Sequence, residues 1–269
     1  MAKRVAIGTN KGGDGKSATA VRLTEALAQG QLPSGRRPRI GVVDMDPQGN
    51  ASRRLGWVDT GKQPTVNEAI KADTKGVAAD LWQPIGWTAE FAERIVLLPA
   101  RLTLENRIKE AGETGAWRRL SKALKGADDH LDYVLIDCHS QFSHLAQLAL
   151  AAAHHTLSSS QADLDSLNSA RRYRDFVVER GEDLANDDLD WLGVILSQVD
   201  SRNSGEVQQV KNARELFGEE KVWGIVPRMT LLHYADEDAK PLCQVRDSTR
   251  ARAPWELLAQ RFIKEVPAR

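Results

Sequence analysis

The sequence has few cysteines, no long apolar run and no net charge, and each absence excludes a class of protein. Two distant cysteines, Cys138 and Cys243, do not make a disulfide framework and favour a reducing cytoplasm. Because no stretch of about 18 apolar residues exists, we expect no transmembrane helix. The apolar run before Gly8 is too short for a signal peptide. The number of Lys and Arg residues, 37, equals the number of Asp and Glu residues, 37. This balance excludes binding to nucleic acid through overall charge, but it is compatible with a local basic patch.

Short apolar runs alternate with longer amphipathic segments along the chain. This alternation is typical of a parallel sheet covered by helices on both faces. No repeat or long linker divides the 269 residues. We therefore expect one α/β domain over residues 1–269, with a mostly parallel twisted sheet of about seven or eight strands. The predicted strands are Val5–Thr9, Arg39–Asp44, Ile95–Leu98, Tyr133–Asp137, Thr156–Ser158, Leu192–Leu196 and Val222–Val226. The predicted helices are Ser17–Gln29, Thr65–Ala72, Leu145–Ala153, Asp165–Glu179, Val207–Phe217 and Ala253–Val266.

A glycine-rich loop lies between the first predicted strand and the first predicted helix. Residues 11–17 read KGGDGKS, close to the general phosphate-loop pattern. Glycines let successive backbone N–H groups turn toward a phosphate chain, and the following helix points its positive end at the same anion. In such a loop Lys16 would neutralise phosphate charge and the Ser17 hydroxyl would ligate Mg²⁺. The sequence therefore predicts a nucleotide-binding site.

The loop resembles the deviant Walker A motif of the ParA/MinD family of ATPases, because a second lysine, Lys11, stands near its start. Residues 44–50, DMDPQGN, resemble the family's switch segment, and residues 132–137, DYVLID, resemble a Walker B strand. Weaker similarity continues through residues 96–100, 194–198 and 226–228. The resemblance covers nearly the whole chain, thinning between residues 57 and 94, and is closest to the ParA-type partition ATPases. It implies the P-loop NTPase fold of the deviant Walker A type and ATP hydrolysis to ADP and phosphate.

The resemblance assigns roles to individual residues. Lys11 would reach across a dimer to the partner's phosphates, Lys16 would act within its own subunit, and Asp46 would orient the attacking water. Mg²⁺ is expected beside Ser17, Asp44 and Asp137, because ligands of such sheets bind at the carboxyl ends of the strands. The expected nucleotide-binding residues are Gly12, Gly13, Asp14, Gly15, Lys16, Ser17, Ala18, Pro227 and Arg228.

Four positions depart from the family pattern. Asp14 stands where a small apolar residue is usual, and an acid in a phosphate cradle would repel the ligand. We therefore expect its side chain to point outward, or toward Lys11 or another basic group of a partner subunit. Ala18 replaces a threonine, residues 138–140 (CHS) bring His139 near the nucleotide, and residues 158–161 (SSSQ) are unusually polar for a strand end. These departures bear on hydrolysis and switching more than on nucleotide binding.

Two other kinds of site deserve comparison. Cys138 lies near several histidines, but the spacing matches no zinc pattern, and a buried thiol with scattered histidines is the preferred interpretation. Ser140 or Ser143 with a nearby histidine could suggest a hydrolase triad, yet no Gly-x-Ser-x-Gly elbow is present. The tryptophans are interpreted as packing residues rather than base-stacking platforms.

The family implies an ATP-sandwich homodimer that binds double-stranded DNA nonspecifically and positions a plasmid or other DNA cargo. A ParB-like adaptor would stimulate hydrolysis, and the protein would be cytoplasmic and associated with the nucleoid. One alternative is a nucleotide-gated, DNA-tethered module with weak hydrolysis, serving conjugation or a non-DNA cargo. Another, a metal-cluster assembly or metabolic ATPase, lacks the expected Cys-x-x-Cys motif.

Basic residues late in the chain are the candidates for DNA contact, through phosphates and without sequence information. The segment from Pro241 to Arg269 is rich in arginine, whereas its terminal apolar face, including Trp255 and Leu257, is expected to pack in the core rather than on a membrane. The candidates for DNA contact are Arg202, Lys211, Arg214, Arg246, Arg250 and Arg252, with Arg228 nearby.

Overall fold

The apolar runs of the sequence form the strands of an eight-stranded sheet in this computed structural model, which describes residues 1–181, 183–184 and 186–268. The strands are β1 (Lys3–Gly8), β2 (Ile40–Asp44), β3 (Gln83–Pro84), β4 (Ile95–Leu98), β5 (Tyr133–Asp137), β6 (His155–Gln161), β7 (Asp190–Val199) and β8 (Val222–Pro227). Their order is β3-β4-β2-β5-β1-β6-β7-β8, and only β3 runs antiparallel to its neighbour. The predicted fold class is confirmed.

Two helical layers bury the sheet. The helices are α1 (Lys16–Gln29), α2 (Asn50–Arg54), α3 (Val66–Lys71), α4 (Arg119–Leu124), α5 (His144–Ala152), α6 (Leu164–Arg180), α7 (Ser204–Phe217), α8 (Thr230–Glu237) and α9 (Thr249–Glu265). Apolar residues of α1 and α9 form one core with one face of the sheet, whereas those of α4, α5 and α6 form a second core with the other. None of the described helices has both the length and the apolar character needed to span a bilayer.

The central position of β1 directs the phosphate loop to the middle of the sheet edge. β1 lies between β5 and β6, and its end at Gly8 leads into the loop. A Cβ on Gly8 would lie 2.1 Å from the Tyr173 hydroxyl, so only glycine fits where α6 packs over this strand. The loop and the ends of β2 and β5 therefore open on the same edge, where parallel sheets bind ligands.

The structure extends several predicted elements. β6 includes three buried serines because their hydroxyls are paired: Ser158 accepts a hydrogen bond from Trp191 Nε1 (2.9 Å), and Ser159 donates to the Asp14 carbonyl (2.6 Å). α9 begins before the predicted start at Ala253, so that Pro254 lies inside the helix, where the carbonyl four residues earlier loses its N–H donor.

Four of the strands and α-helices were not predicted. β3, α2, α4 and α8 have at most eight residues, too few for a periodic pattern to separate a helix or strand from a loop. α3 was predicted, and its start is fixed by a capping box in which Thr65 and Glu68 satisfy each other's backbone N–H groups. Leu257 was predicted to be buried in the core, but it is 66% exposed, because it lies on the solvent side of α9.

Candidate functional site

A cavity of about 610 Å³ opens at the carboxyl edge of the sheet, a size suited to a small-molecule ligand. The phosphate loop and the start of α1 form one wall, and the ends of β7 and β8 with α8 form the other. The predicted residues that line it are Gly12, Gly13, Gly15, Lys16, Ser17, Ala18, Asp46 and Arg228. Sequence motifs separated by more than 200 residues thus meet around one volume.

The phosphate loop leaves its backbone free to meet an anion. Gly13 and Gly15 have φ angles of 88° and 81°, in the left-handed region that other residues adopt only with strain. Gly15 is the N-cap of α1 and no side chain caps that helix among the described residues. The first N–H groups of α1 therefore remain available to a phosphate, at the positive end of the helix.

The two lysines of the loop point in different directions. Lys16 is buried, and its Nζ donates to the carbonyl of Lys11 at 3.0 Å, which holds the ammonium over the loop. The Lys11 side chain instead turns toward α6, where its Nζ lies 2.8 Å from Ser166 Oγ and 3.3 Å from Asp163 Oδ1. Lys16 thus faces the cavity of its own subunit, whereas Lys11 lies on the side of the loop.

Asp14 does not point into the phosphate cradle, but it faces groups of its own subunit rather than solvent or a basic group of a partner subunit. Its side chain is fully buried and turned away from the cavity, toward the start of α6. It lies 2.9 Å from Ser166 Oγ and 3.3 Å from Thr9 Oγ1, both of which can donate to it. Burial raises the pKa of Asp14, while the hydrogen bond from Ser166 and the charge of Lys11 act in the opposite direction. An acid in the loop would be expected to repel a phosphate. This repulsion is reduced because the Asp14 carboxylate lies behind the loop, where polar side chains donate hydrogen bonds to it.

Asp44 and Asp137 are paired neighbours at the ends of β2 and β5. Both are fully buried. Asp44 accepts hydrogen bonds from the N–H and hydroxyl of Ser52 at 2.8 and 2.7 Å and from the N–H of Asp46 at 3.1 Å. Neither oxygen of Asp137 has a well-formed hydrogen bond among the described residues.

The electrostatics of this pair favour a cation. Burial is the largest cause that raises the pKa of Asp137, and the charge of Asp44 raises it further, whereas the Ser17 hydroxyl opposes the shift only in part. Burial also raises the pKa of Asp44, against the hydrogen bonds from Ser52. Two buried carboxylates side by side, one of them poorly compensated, form a donor set for a hard divalent ion.

Some expected residues lie elsewhere. Pro227 lines a separate groove between β8 and α9 rather than the main cavity. Arg228 lines the main cavity, and its guanidinium pairs with Glu206 at 3.0 Å. His139 Nδ1 lies 3.2 Å from Ser143 Oγ, but no described carboxylate is within ion-pair distance of the imidazole, so this pair lacks the third member of a triad.

Sequence reasoning missed the wall of the cavity formed by α2 and α8. Asn50, Arg54, His233 and Asp236 all line it. Arg54 Nε donates to Asp236 Oδ2 at 2.9 Å, which joins the two helices across the cavity. Asn50 ends the DMDPQGN segment, but no motif marks Arg54 or the residues of α8. Because both helices are also short, no signal in the sequence placed this wall.

Most of the candidate DNA-contacting residues form ion pairs with acids close to them in sequence. Arg202 pairs with Asp200, Arg214 with Glu219, Arg246 with Asp247 and Arg252 with Glu256, at 2.8, 3.2, 3.5 and 2.9 Å. Within the described part of the chain, Lys211 and Arg250 have no ion pair. Arg269, part of the predicted basic segment, lies outside the described residues.

Comparison with known proteins identifies the family. A family model described as an AAA domain matches residues 2–189, more than half of the chain. The chromosome partitioning protein ParA of Caulobacter vibrioides is 30% identical over 242 residues, which are 88% of this chain and 85% of that protein. The chain belongs to the ParA family of ATPases. The predicted family and the predicted ATPase activity are thereby confirmed.

Other ParA-family relatives match along almost the full length. The chromosome-partitioning ATPase Soj of Thermus thermophilus is 29% identical over 265 residues, 98% of this chain and 96% of that protein. Among solved structures, an ATP complex of a McdA variant from Cyanothece has a TM-score of 0.83 over 96% of this chain and 95% of that one. Its sequence identity is 21%, so it supports the fold alone.

Proposed function

We propose that this chain is a Mg²⁺-dependent ATPase of the ParA type that dimerises around two ATP molecules and binds DNA nonspecifically in that state. Its role would be to position a plasmid or other DNA cargo, with hydrolysis stimulated by a ParB-like partner, in the cytoplasm on the nucleoid. The whole chain, residues 1–269, would act as one domain. The observation that most directly supports this proposal is that Lys16, Ser17 and Asp46 line one cavity, beside the buried pair of Asp44 and Asp137.

The phosphate loop would supply most of the stabilisation of transferred phosphate. Its backbone N–H groups and the buried ammonium of Lys16 are fixed before ligand binds, so little reorganisation is needed as charge develops. The proposed binding surface for the nucleotide comprises Gly12, Gly13, Gly15, Lys16, Ser17, Ala18 and Arg228, which line the cavity. Asp14 belongs to the same loop but does not line the cavity, so its predicted contact with the nucleotide stays a prediction. Pro227 fits this role less well, because it lines the neighbouring groove.

The donor set of the site fits Mg²⁺. Ser17 supplies a hydroxyl, and Asp44 and Asp137 supply carboxylates whose pKa values are raised mainly by burial. When bound, Mg²⁺ would neutralise phosphate charge. The oxygens of Asp137 have no well-formed hydrogen bond among the described residues, which leaves them available to a cation.

Asp46 is the proposed positioning group for the attacking water. It is half-buried at the cavity wall, and its Oδ1 accepts a hydrogen bond from the Gln48 N–H at 3.0 Å, which fixes its orientation. Lys11 of a second subunit would act on the developing charge much as an arginine finger does. Hydrolysis would then remove the group that both subunits share and separate them.

The test is the oligomeric state in ATP, measured by size-exclusion chromatography with light scattering. Lys16→Ala is expected to stay monomeric because it loses phosphate binding, whereas Asp46→Ala is expected to accumulate as a dimer because it binds ATP without hydrolysing it. Lys75→Ala, at an exposed lysine distant in sequence from the motifs, is the control. If Lys16→Ala and Asp46→Ala both behave as the wild type does, the sandwich-dimer mechanism is wrong.

A second candidate is a DNA-tethered binding module with weak hydrolysis, serving conjugation or a non-DNA cargo. The contact of Lys11 with its own Asp163 and Ser166 favours it, because a lysine engaged in its own subunit contributes nothing to the partner's site. ATPase assays with and without DNA and an adaptor protein separate the two candidates: stimulation by several orders of magnitude supports the active switch.

A further inference from the structure

Lys11 is bound to its own subunit by groups that flank the first turn of α6. Its Nζ lies 2.8 Å from Ser166 Oγ and 3.3 Å from Asp163 Oδ1, and its side chain is 39% exposed. Asp163 is the N-cap of α6 and also accepts a hydrogen bond from the Ser166 N–H at 2.9 Å. A cation at the positive end of a helix is unfavourable unless acids offset it. The acids near this helix start therefore decide whether Lys11 stays there.

Ser166 connects Lys11 to two carboxylates. Its Oγ lies 2.7 Å from Asp163 Oδ2 and 2.9 Å from Asp14 Oδ1. A hydroxyl has one proton to donate and lone pairs with which to accept. Ser166 can therefore accept from the Lys11 ammonium while it donates to one of the two acids. This arrangement makes Ser166 Oγ the shortest link of Lys11 to the body of the protein.

Asp14 supplies negative charge from behind this link. It is fully buried, and its carbonyl is fixed by Ser159 Oγ at 2.6 Å and Ser197 Oγ at 3.1 Å. Because its carboxylate cannot swing into solvent, its charge stays beside Ser166 and Lys11. The position that departs from the family pattern thus contributes to holding the lysine on which the proposed dimer depends.

We infer that Asp14, Asp163 and Ser166 are positioning residues that hold the Lys11 side chain in its own subunit. We call these three residues the lysine holder. The holder must release the Lys11 ammonium before that ammonium can reach a second subunit. This inference rests on the proposed function, in which Lys11 acts across the dimer. Two lysines are released for each dimer formed. A threefold weaker hold in each subunit therefore tightens the dimer about tenfold, the product of the two effects.

The first measurement follows Lys11 itself in the nucleotide-free monomer. Reductive methylation of lysines, quantified by mass spectrometry of peptides, reports how freely each amine reacts. Ser166→Ala removes the 2.8 Å contact but keeps Asp163 and its backbone hydrogen bond. We expect Lys11 in this variant to react at least about threefold faster. Asp14→Asn, which keeps the side-chain shape and removes the charge, is expected to act in the same direction.

Ser169→Ala is the matched control. Ser169 is a buried serine one turn further along α6, and its Oγ lies 3.2 Å from Thr9 Oγ1. Ser169→Ala therefore leaves the contacts of Ser166 with Lys11 and Asp14 in place, although Thr9 also lies 3.3 Å from Asp14. The substitution is expected to leave Lys11 reactivity unchanged. If buried serines in α6 had only a structural role, both substitutions would change the reactivity of Lys11 to the same extent. Equal reactivity of Lys11 in Ser166→Ala and Ser169→Ala would therefore overturn the proposed lysine holder.

The second measurement is the dimer dissociation constant with a nonhydrolysable ATP analogue, by analytical ultracentrifugation. Ser166→Ala is expected to dimerise about tenfold more tightly than the wild type and Ser169→Ala equally tightly. Faster labelling of Lys11 without tighter dimerisation would overturn the role in release. Absence of any dimer in all variants would refute the proposed function instead, while the labelling result still decides whether the holder exists.

Discussion

Arg22 in α1 and Asp236 in α8 form an ion pair in which Arg22 Nη2 lies 2.6 Å from Asp236 Oδ1. The arginine is 1% exposed, and it also binds Glu25 at 2.9 Å within its own helix. Asp236 accepts a second arginine, Arg54 of α2, at 2.9 Å. One carboxylate of α8 therefore joins both helices that start at the nucleotide motifs, and it forms part of the cavity wall.

Asp236→Ala is expected to lower the free energy of unfolding by about 2–4 kcal/mol, because Arg22 stays buried with one acid fewer. Nucleotide affinity should also fall, since α8 loses its attachment over the cavity. Asp238→Ala, at an exposed aspartate just after α8 that pairs with Lys240, is the control and should change stability by less than about 0.5 kcal/mol. Urea unfolding and titration with a fluorescent nucleotide measure the two effects; equal stability of both variants would contradict the role of the ion pair.

Asp137→Asn and Asp44→Asn should have opposite effects on the nucleotide-free protein at pH 8. Asp137 has no well-formed hydrogen bond among the described residues, so its neutralisation removes a poorly compensated buried charge and should stabilise the fold by about 1–3 kcal/mol. Asp44 accepts from Ser52 twice and from the Asp46 N–H, and an asparagine cannot satisfy all three donors. Asp44→Asn should therefore destabilise.

Unfolding by guanidinium without Mg²⁺ measures both effects. Both variants should lose the Mg²⁺-dependent part of nucleotide affinity, which a titration with and without Mg²⁺ reports. Loss of stability in Asp137→Asn would show that its carboxylate has a structural partner after all.

Charge reversal of Arg246 and Arg250 together is expected to weaken DNA binding while ATP binding is retained. Arg246 is 95% exposed, and Arg250 has no ion pair within the described residues, so both can approach phosphates without losing a strong internal contact. Each lost phosphate contact should reduce the slope of log affinity against log salt by about 0.9.

Gel-shift assays with ATP over a range of salt concentrations test this pair. Reversal of Lys75 and Lys125, two exposed lysines beside α3 and α4, is the control and should leave the slope unchanged. Unchanged affinity in the double arginine variant would reject this patch as the DNA-binding surface.

His154 should make the protein less stable as the pH falls from about 6.5 to 4. Burial, together with the charges of Arg4 and Lys3, lowers the pKa of His154 to about 4. Its neutral Nδ1 accepts a hydrogen bond from the Arg4 N–H at 2.9 Å. Because the folded-state pKa is depressed, the stabilisation is complete above the unfolded-state pKa and is lost as the pH falls toward the folded-state value.

His154→Asn, which keeps an acceptor that does not titrate, should remove on the order of 2 kcal/mol of this pH dependence. His130→Asn, at an exposed histidine, should leave it unchanged. Urea midpoints between pH 4 and 7 provide the comparison, and parallel curves for the wild type and His154→Asn would contradict the assignment.

The strands and the nucleotide motifs were predictable because their signals are local. β2 and β5 are continuous apolar runs that end in aspartate, and the phosphate loop requires glycines with positive φ at Gly13 and Gly15. α8 was not predictable, because its eight residues carry no motif and its place over α1 depends on Asp236 reaching Arg22. The burial of Asp14 and its contacts were not predicted for a similar reason: Ser166, which holds its carboxylate, lies about 150 residues later in the chain.

The sequence by itself determined the family, the order of the longer strands and helices along the chain, and the residue types that can bind phosphate and a divalent cation. Local spacing suffices for these, since each motif is complete within a few residues. Only the tertiary structure decided that Asp14 is buried, that Asp137 is poorly compensated beside Asp44, and that Lys11 rests on α6. These properties depend on which strands become neighbours, because burial and charge pairing arise between segments that the sequence separates.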